Sequence, residues 1–231
     1  MSEIINNEKQ EEYISHYDSS RYEKPSVAVD LLVFTIEEDE LKIVTIRRKE
    51  HPFRNELALP GVFVRIDENL DEAAARGIRE ETGLKDIYFE QLYTWGDINR
   101  DPRMRIISVS YAALVPIEKL RLTTGERTKE AGLHPVSELL EEDVVMAFDH
   151  KKIIHYGRER LKNKVEYTNI AFELVPEEFT LPQLQNVYEI LLDKSLYKAN
   201  FRKKIADMVE ETDRTTTGNA HRPSKYYRLR K

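Results

Sequence analysis

The chain reads as an α+β fold in two parts, a mixed strand-and-helix domain followed by a small helix-turn-helix module that ends in a hairpin. Three observations predict this. Runs of β-branched residues surround one strongly marked helix in the first two thirds of the chain. From residue 180 onward, two helices with short connections precede a polar turn flanked by aromatic residues. The charge also changes sign along the chain: residues 151–231 carry 17 Lys+Arg against 11 Asp+Glu, leaving 19 against 31 for residues 1–150. Such asymmetry points to a C-terminal part that meets a polyanion, or more simply to a solubilising basic tail.

A chain of 231 residues accommodates one medium domain plus a small one. The expected division is a polar tail over 1–25, a domain over 26–165 and a module over 166–231. Absence of cysteine excludes disulfides and thiolate zinc sites and agrees with a reducing cytoplasm. No apolar run approaches membrane-spanning length, and the first 25 residues are mixed in charge, unlike a secretory leader. A cytoplasmic protein without a membrane partner is expected.

Residues 26–36 and 41–48 are β-branched runs separated by an acidic turn and predict paired strands. Leu59-Pro60-Gly61 then leads through Val62, Phe63 and Val64 toward a helix over 69–84. Its start is marked by Asn69 as N-cap with Glu72 three residues on, a capping-box pattern, and its stop by Gly83. Positions 77, 80 and 81 share one side of such a helix. They are Gly77, Glu80 and Glu81, so two carboxylates stand where three would make a hard-cation site; the bland alternative is a solvated acidic face. Gly77 costs about 1 kcal/mol of helix propensity relative to alanine, and the sequence offers no local compensation for it.

Two further strands are expected over 87–95 and 105–115. Between them the polar loop 96–103, GDINRDPR, is placed to face a ligand. Helical segments near 136–142 and 149–163 complete the α+β domain. Candidate ligand-binding residues are Arg47, Arg48, Phe53, Trp95, Asp97, Arg100 and Arg103, a mixture of cations and aromatics suited to a polar small molecule but equally common as ordinary surface or core.

In the C-terminal part Thr180 caps a helix beginning at Leu181, with Gln183 at the reciprocal position, and Leu184, Val187, Tyr188 and Leu191 form its apolar stripe. A second helix over 197–208 turns Phe201, Ile205 and Met208 inward and leaves Lys198, Asn200, Arg202, Lys203 and Lys204 outside. The segment 212–231 reads as a hairpin wing bearing His221, Arg222, Ser224, Lys225, Arg228, Arg230 and Lys231. Together these make a winged helix-turn-helix, whose second helix enters the major groove of double-stranded DNA while Lys and Arg contact phosphates. The DNA-binding candidates are Lys198, Asn200, Arg202, Lys203, Lys204, His221, Arg222, Ser224 and Lys225. A protein-docking module is the alternative.

The stretch 61–84 resembles the Nudix box, matching at Glu68, Arg76, Ile78, Glu80, Glu81, Gly83 and Leu84. It departs at Val62, where the box has glycine, and at Gly77, where it has glutamate. The resemblance implies an α/β/α sandwich and, in an active hydrolase, Mg²⁺ or Mn²⁺ held by helix glutamates against a diphosphate, with the metal activating water. Glu80 and Glu81, with Glu68 less directly, are then the metal candidates, Glu72 being a neighbour able to substitute. Over nearly the whole chain, the box, the loop 96–103, the segment EYTNIAFELVPEEFTLPQLQNVYE and ANFRKK together resemble the Nudix-related transcriptional regulators of the NrtR type. The resemblance implies a homodimer binding pseudo-palindromic operators, with a Nudix-like domain that senses ADP-ribose, a related nucleotide or a sugar such as arabinose and requires no cofactor. The rival reading is an active hydrolase of ADP-ribose or another nucleoside diphosphate derivative using Mg²⁺ or Mn²⁺.

Overall fold

The computed structural model describes residues 2–84, 87–122, 128–216 and 223–230, the side chains of 2–8, 81–82 and 128–129 excepted. Strand β1 (Ser26–Glu37) is its axis. It runs parallel to β6 (Ile106–Leu114) and antiparallel to both β2 (Glu40–Arg48) and the short β4 (Gly61–Phe63). Strand β5 (Tyr88–Trp95) extends the sheet beyond β6, while β3 (Leu57–Ala58) and β7 (Thr128–Pro135) pair with β2. A strand hydrogen-bonded on both edges and covered on both faces has no wet side, which is why residues 29–34 read as an unbroken apolar run apart from Asp30.

The two faces of β1 feed two cores. Val29, Leu31 and Val33 point toward α2 (Leu70–Thr82) and pack with Ala73, Ala74 and Ile78. Leu32 and Phe34 point the opposite way, toward α4 (His150–Lys164), where Ile153, Ile154 and Leu161 meet them. The period-2 alternation of a strand thus gives the α/β/α layering. Helix α2 has the ends expected of it: Asn69 accepts from the Glu72 amide at 2.9 Å, Glu72 accepts from the Asn69 amide at 2.8 Å, and Gly83 closes the helix at φ 69°.

Several elements differ from expectation. The polar N-terminus holds a helix, α1 (Ser2–His16), whose residues from 9 onward are exposed. β7 lies in a stretch that has no clear apolar alternation, and α3 (Val136–Leu139) is shorter than the predicted segment. A 3₁₀ segment at Ile170–Leu174 buries Ile170, Ala171, Phe172 and Leu174 at the approach to the C-terminal module.

That module consists of α5 (Leu181–Leu192), α6 (Lys198–Ile205) and a three-stranded sheet of β8 (Phe179–Thr180), β9 (Val209–Thr215) and β10 (Lys225–Leu229). The second helix ends at Ile205 rather than Met208, and the wing begins at Val209, because residues 209–215 pair with β10. The apolar stripe of α5 joins the same core as Leu32, Phe34 and α4, so the module packs against α4 and against β2 of the sheet. Two polar contacts reinforce that seat: Asn186 donates to Asp39 in the β1–β2 turn at 2.7 Å, and Arg158 of α4 donates to the Leu191 and Ile190 carbonyls at 2.7 and 3.2 Å.

Candidate functional site

A cavity of about 340 Å³ opens where the loop 97–102 meets the start of α4. Phe53, Asp97, Asn99, Arg100, Pro102, Phe148, Asp149 and Lys152 line it. Of the residues the sequence singled out, Phe53, Asp97 and Arg100 are on this wall. Phe148, Asp149 and Lys152 escaped the sequence reading because they belong to no spaced motif; only the fold brings the segment before α4 against the loop.

Phe148 organises the mouth. Phe53 meets it edge to face at 4.9 Å, and the Arg48 and Arg103 guanidinium carbons stand 4.8 and 5.8 Å from its ring centre. Both phenylalanines hold left-handed backbone, φ 60° and 55°, a conformation that costs about 1–3 kcal/mol each and persists where surrounding structure fixes it, often at ligand sites. Arg103 is held by Asp101 at 3.0 and 2.7 Å, and Arg48 donates to the Pro52 carbonyl at 2.8 Å. Aromatic faces beside fixed cations suit a ligand that joins a planar ring to anionic groups.

Behind the mouth lies a buried charge cluster. Arg100 donates to Asp30 at 2.9 Å and to both Asp149 oxygens at 3.1 and 2.8 Å. Burial alone would lower this guanidinium, but the bonds to Asp149 and the field of Asp30 outweigh it and hold its pKa above the ordinary value. Ser108 donates to Asp30 at 2.6 Å. The Leu59 amide donates to His150 Nδ1 at 2.8 Å, while His150 Nε2 lies 3.6 Å from Asp30; desolvation pushes this imidazole down, against the opposing pull of Asp30 and Asp149. Arg100 is therefore first a structural cation, with one edge on the cavity.

Trp95 and Arg47 stand apart from the cavity. The indole is buried, donates to Ser110 at 3.0 Å and carries the Lys152 ammonium 5.5 Å from its ring, so it supports the wall from behind. Arg47 bonds the Asn55 carbonyl at 2.7 Å and pairs with Glu130.

Among the described residues the carboxylates of the box are engaged by protein groups rather than gathered around a cation position. Glu68 accepts from Arg76 at 3.0 and 2.6 Å and from the Arg65 amide at 2.9 Å, and the Arg76 guanidinium foremost holds its carboxyl down to about 2. Glu72 is spent in the capping box, Glu80 lies within 3.5 Å of Arg76, and the Glu81 side chain lies outside the described residues. Among the described residues no group of three or more His, Asp or Glu is disposed to hold a metal. Gly77 explains why. A Cβ there would meet Leu31 Cδ1 at 2.8 Å and both Val62 methyls at 3.3 Å. The two departures from the box thus touch each other: valine at 62 fills the space beside 77. The glycine, which has no local compensation in the sequence, has a tertiary one: it admits the Val62 and Leu31 side chains to the helix face.

On the C-terminal module, Lys198, Asn200, Arg202, Lys203 and Lys204 are all exposed along α6, while Phe201 and Ile205 are buried, Phe201 against Tyr188 at 5.4 Å. The Lys204 ammonium sits over the Tyr188 ring at 4.8 Å, a cation–π contact. The wing is less freely cationic than its sequence suggests. Lys225 pairs with Glu211, Arg228 with Glu210 and Arg214 with Glu178. Ser224 is tied to Thr216 through its backbone. His221, Arg222 and Lys231 lie outside the described residues.

Comparison with known proteins places both halves. The family model of the NrtR DNA-binding winged helix domain matches residues 171–229, and that of the NUDIX domain matches residues 24–156. The ADPR responsive transcriptional repressor NtrR of Acinetobacter baylyi is 34% identical over 99% of this chain and 92% of its own length. An ADP-ribose pyrophosphatase of Methanocaldococcus jannaschii is 38% identical over 58% of this chain and 73% of its own. The structure of Shewanella oneidensis NrtR complexed with a 27mer DNA superposes with a TM-score of 0.78 at 32% identity, covering 88% of this chain and 93% of that one. The Nudix domain of that protein complexed with ADP ribose matches 65% of this chain and 97% of its own, TM-score 0.58 at 32% identity.

Proposed function

The chain belongs to the NrtR-type Nudix-related transcriptional regulators, and from that premise we propose that it represses transcription until ADP-ribose enters the cavity around Phe148. It is a ligand-responsive DNA-binding regulator whose Nudix domain serves as sensor. The observation that carries the finer reading is that α4, whose first turn lines an aromatic and cationic cavity, shares a core through Ile153, Ile154 and Leu161 with Phe201 and Ile205 of the exposed basic helix. The adenine or ribose ring would lie against Phe148 and Phe53, with the diphosphate toward Arg48, Arg103 and Lys152. Arg202, Lys203 and Lys198 would contact phosphates, and Asn200 would read a base edge.

The protein acts in this reading as a homodimer in the cytoplasm, its two α6 helices meeting half-sites about one helical turn, 34 to 36 Å, apart on a pseudo-palindrome. No helix among the described residues is long and apolar enough to cross a membrane. Binding of the purified protein to duplexes from upstream of its own gene, across salt concentrations and with ADP-ribose or arabinose added, tests it. Saturable binding that ADP-ribose weakens supports the proposal; weakening by arabinose alone redirects the effector to sugars, and an affinity indifferent to both overturns it.

The similarity to an ADP-ribose pyrophosphatase keeps a second reading in view, hydrolysis of the same ligand. The absence of a carboxylate at Gly77 and the filled space beside it speak against it. Turnover of ADP-ribose with Mg²⁺ or Mn²⁺ that Glu81→Gln abolishes would establish it.

A further inference from the structure

The cavity and the helix pair of the C-terminal module are joined by α4, which has one guanidinium contact at its start and a second just past its middle. At its start, Asp149 faces the cavity and takes both of its charged hydrogen bonds from Arg100. Lys152, one turn on, lines the same cavity. In its middle, α4 presses on the sheet at Gly157, where a Cβ would lie 2.4 Å from Leu32 Cδ2 and 3.4 Å from the Phe34 ring. One residue further, Arg158 leaves the Nudix domain and donates to the carbonyls of Leu191 and Ile190. Nine residues of helix separate Asp149 from Arg158, about 14 Å at 1.5 Å per residue.

The carbonyls Arg158 holds are in the last turn of α5, which carries partial negative charge; Ile190 O also accepts from the Asp193 amide at 3.4 Å. Immediately after them Asp193 turns the chain left-handed, φ 54°, into the connection that aims α6. Arg158 is half-buried and, among the described residues, donates to neutral carbonyls; burial, only partly offset by the fields of Asp193 and Glu159, pushes its pKa down. A desolvated guanidinium satisfied this way is sensitive to small displacements, because losing either carbonyl leaves a buried charge underbonded.

We propose that Arg158 is the positioning residue through which occupancy of the Phe148 cavity reaches the DNA-reading helix. Anionic groups of the effector compete with Asp149 for Arg100, the first turn of α4 shifts, and the helix, seated at Gly157, carries the Arg158 guanidinium across the end of α5. The proposal rests on ADP-ribose being the effector. It requires Arg158 to matter for coupling between the two sites, and only secondarily for either site alone.

The test is anisotropy of a labelled operator duplex, bound by full-length protein with and without ADP-ribose, together with calorimetry of ADP-ribose on DNA-free protein. In the wild type, the ligand is expected to weaken DNA binding by about 5- to 150-fold. In Arg158→Met this ratio falls to within about twofold of unity while ADP-ribose affinity is unchanged; Arg158→Lys, which keeps the charge but loses the planar fork that reaches two carbonyls, falls between. Asn186→Ala, which breaks the other polar contact away from α4, keeps the wild-type ratio. A merely structural Arg158 would lower DNA affinity equally with and without ligand, and that preserved ratio overturns the proposal. Should Arg158→Met not fold, a wild-type ratio in Arg158→Lys overturns it equally. A wild-type protein that ignores ADP-ribose removes the effector reading and this proposal together, whereas a responsive wild type with responsive Arg158 variants removes this proposal alone.

Discussion

Replacing Gly77 by alanine destabilises this protein even though alanine is the better helix former. In a helix interior the exchange gains about 1 kcal/mol from propensity. Here the new Cβ would stand 2.8 Å from Leu31 Cδ1 and 3.3 Å from both Val62 methyls, and Leu31, 1% exposed, has to turn within a packed core to make room. Overpacking a filled core costs about 1–3 kcal/mol, so the balance is a loss of about 0–2 kcal/mol, or several degrees in Tm for a chain of this size. Val62 packs in the same cluster as Leu31, so in a Val62→Ala background the same exchange is milder, with a coupling of about 0.5–3 kcal/mol between the positions. Urea and thermal unfolding of the four proteins of this cycle measure it. A Tm raised by Gly77→Ala in both backgrounds would refute the reasoning, because it would make the glycine a simple helix defect. The same contacts bear on the box: Gly77→Glu alone gains no Mn²⁺ affinity by calorimetry, and Val62→Gly combined with Gly77→Glu is the pair expected to open room for a third carboxylate.

Three other outcomes follow from the same geometry. Arg100→Met leaves Asp30 and Asp149 without their shared cation and lowers unfolding stability by about 3–5 kcal/mol, read by urea titration. His150 is buried with its pKa below 6.5, so the unfolded chain takes up a proton there that the folded one refuses; its contribution is complete above pH 6.5 and declines as pH falls, by up to about 1.4 kcal/mol per unit, and unfolding at pH 7, 6 and 5 shows a shallower decline in His150→Asn. At the DNA surface, Arg202→Ala and Lys203→Ala each reduce the log–log salt slope of operator binding by about 0.9, whereas Lys225→Ala, whose ammonium is paired with Glu211, changes it less.

The sequence by itself determined the elements whose signals are local. Asn69, Glu72 and Gly83 bound α2, and Thr180 with Gln183 starts α5, because a cap needs only hydrogen-bonding groups three residues apart. The stripe of α5 and the cationic face of α6 were legible for the same reason, since helical spacing converts a short string into faces. The resemblance supplied the assignment of both domains, and the loop 96–103, expected to face a ligand, contributes Asp97, Asn99, Arg100 and Pro102 to a cavity wall. Other features depended on contacts between distant segments. Phe148, Asp149 and Lys152 become a wall only when the loop from β5 to β6 folds against the start of α4, some 50 residues away in the chain. Arg100, read as a ligand contact, is chiefly a bridge between Asp30 and Asp149, and the basic wing spends Lys225 and Arg228 on the strand beside it. Gly77 is the plainest case: one position in a motif reads as a missing carboxylate, and tertiary packing shows the volume that Val62 and Leu31 have taken in its place, because excluded volume is a property of neighbours in space and not of neighbours in sequence.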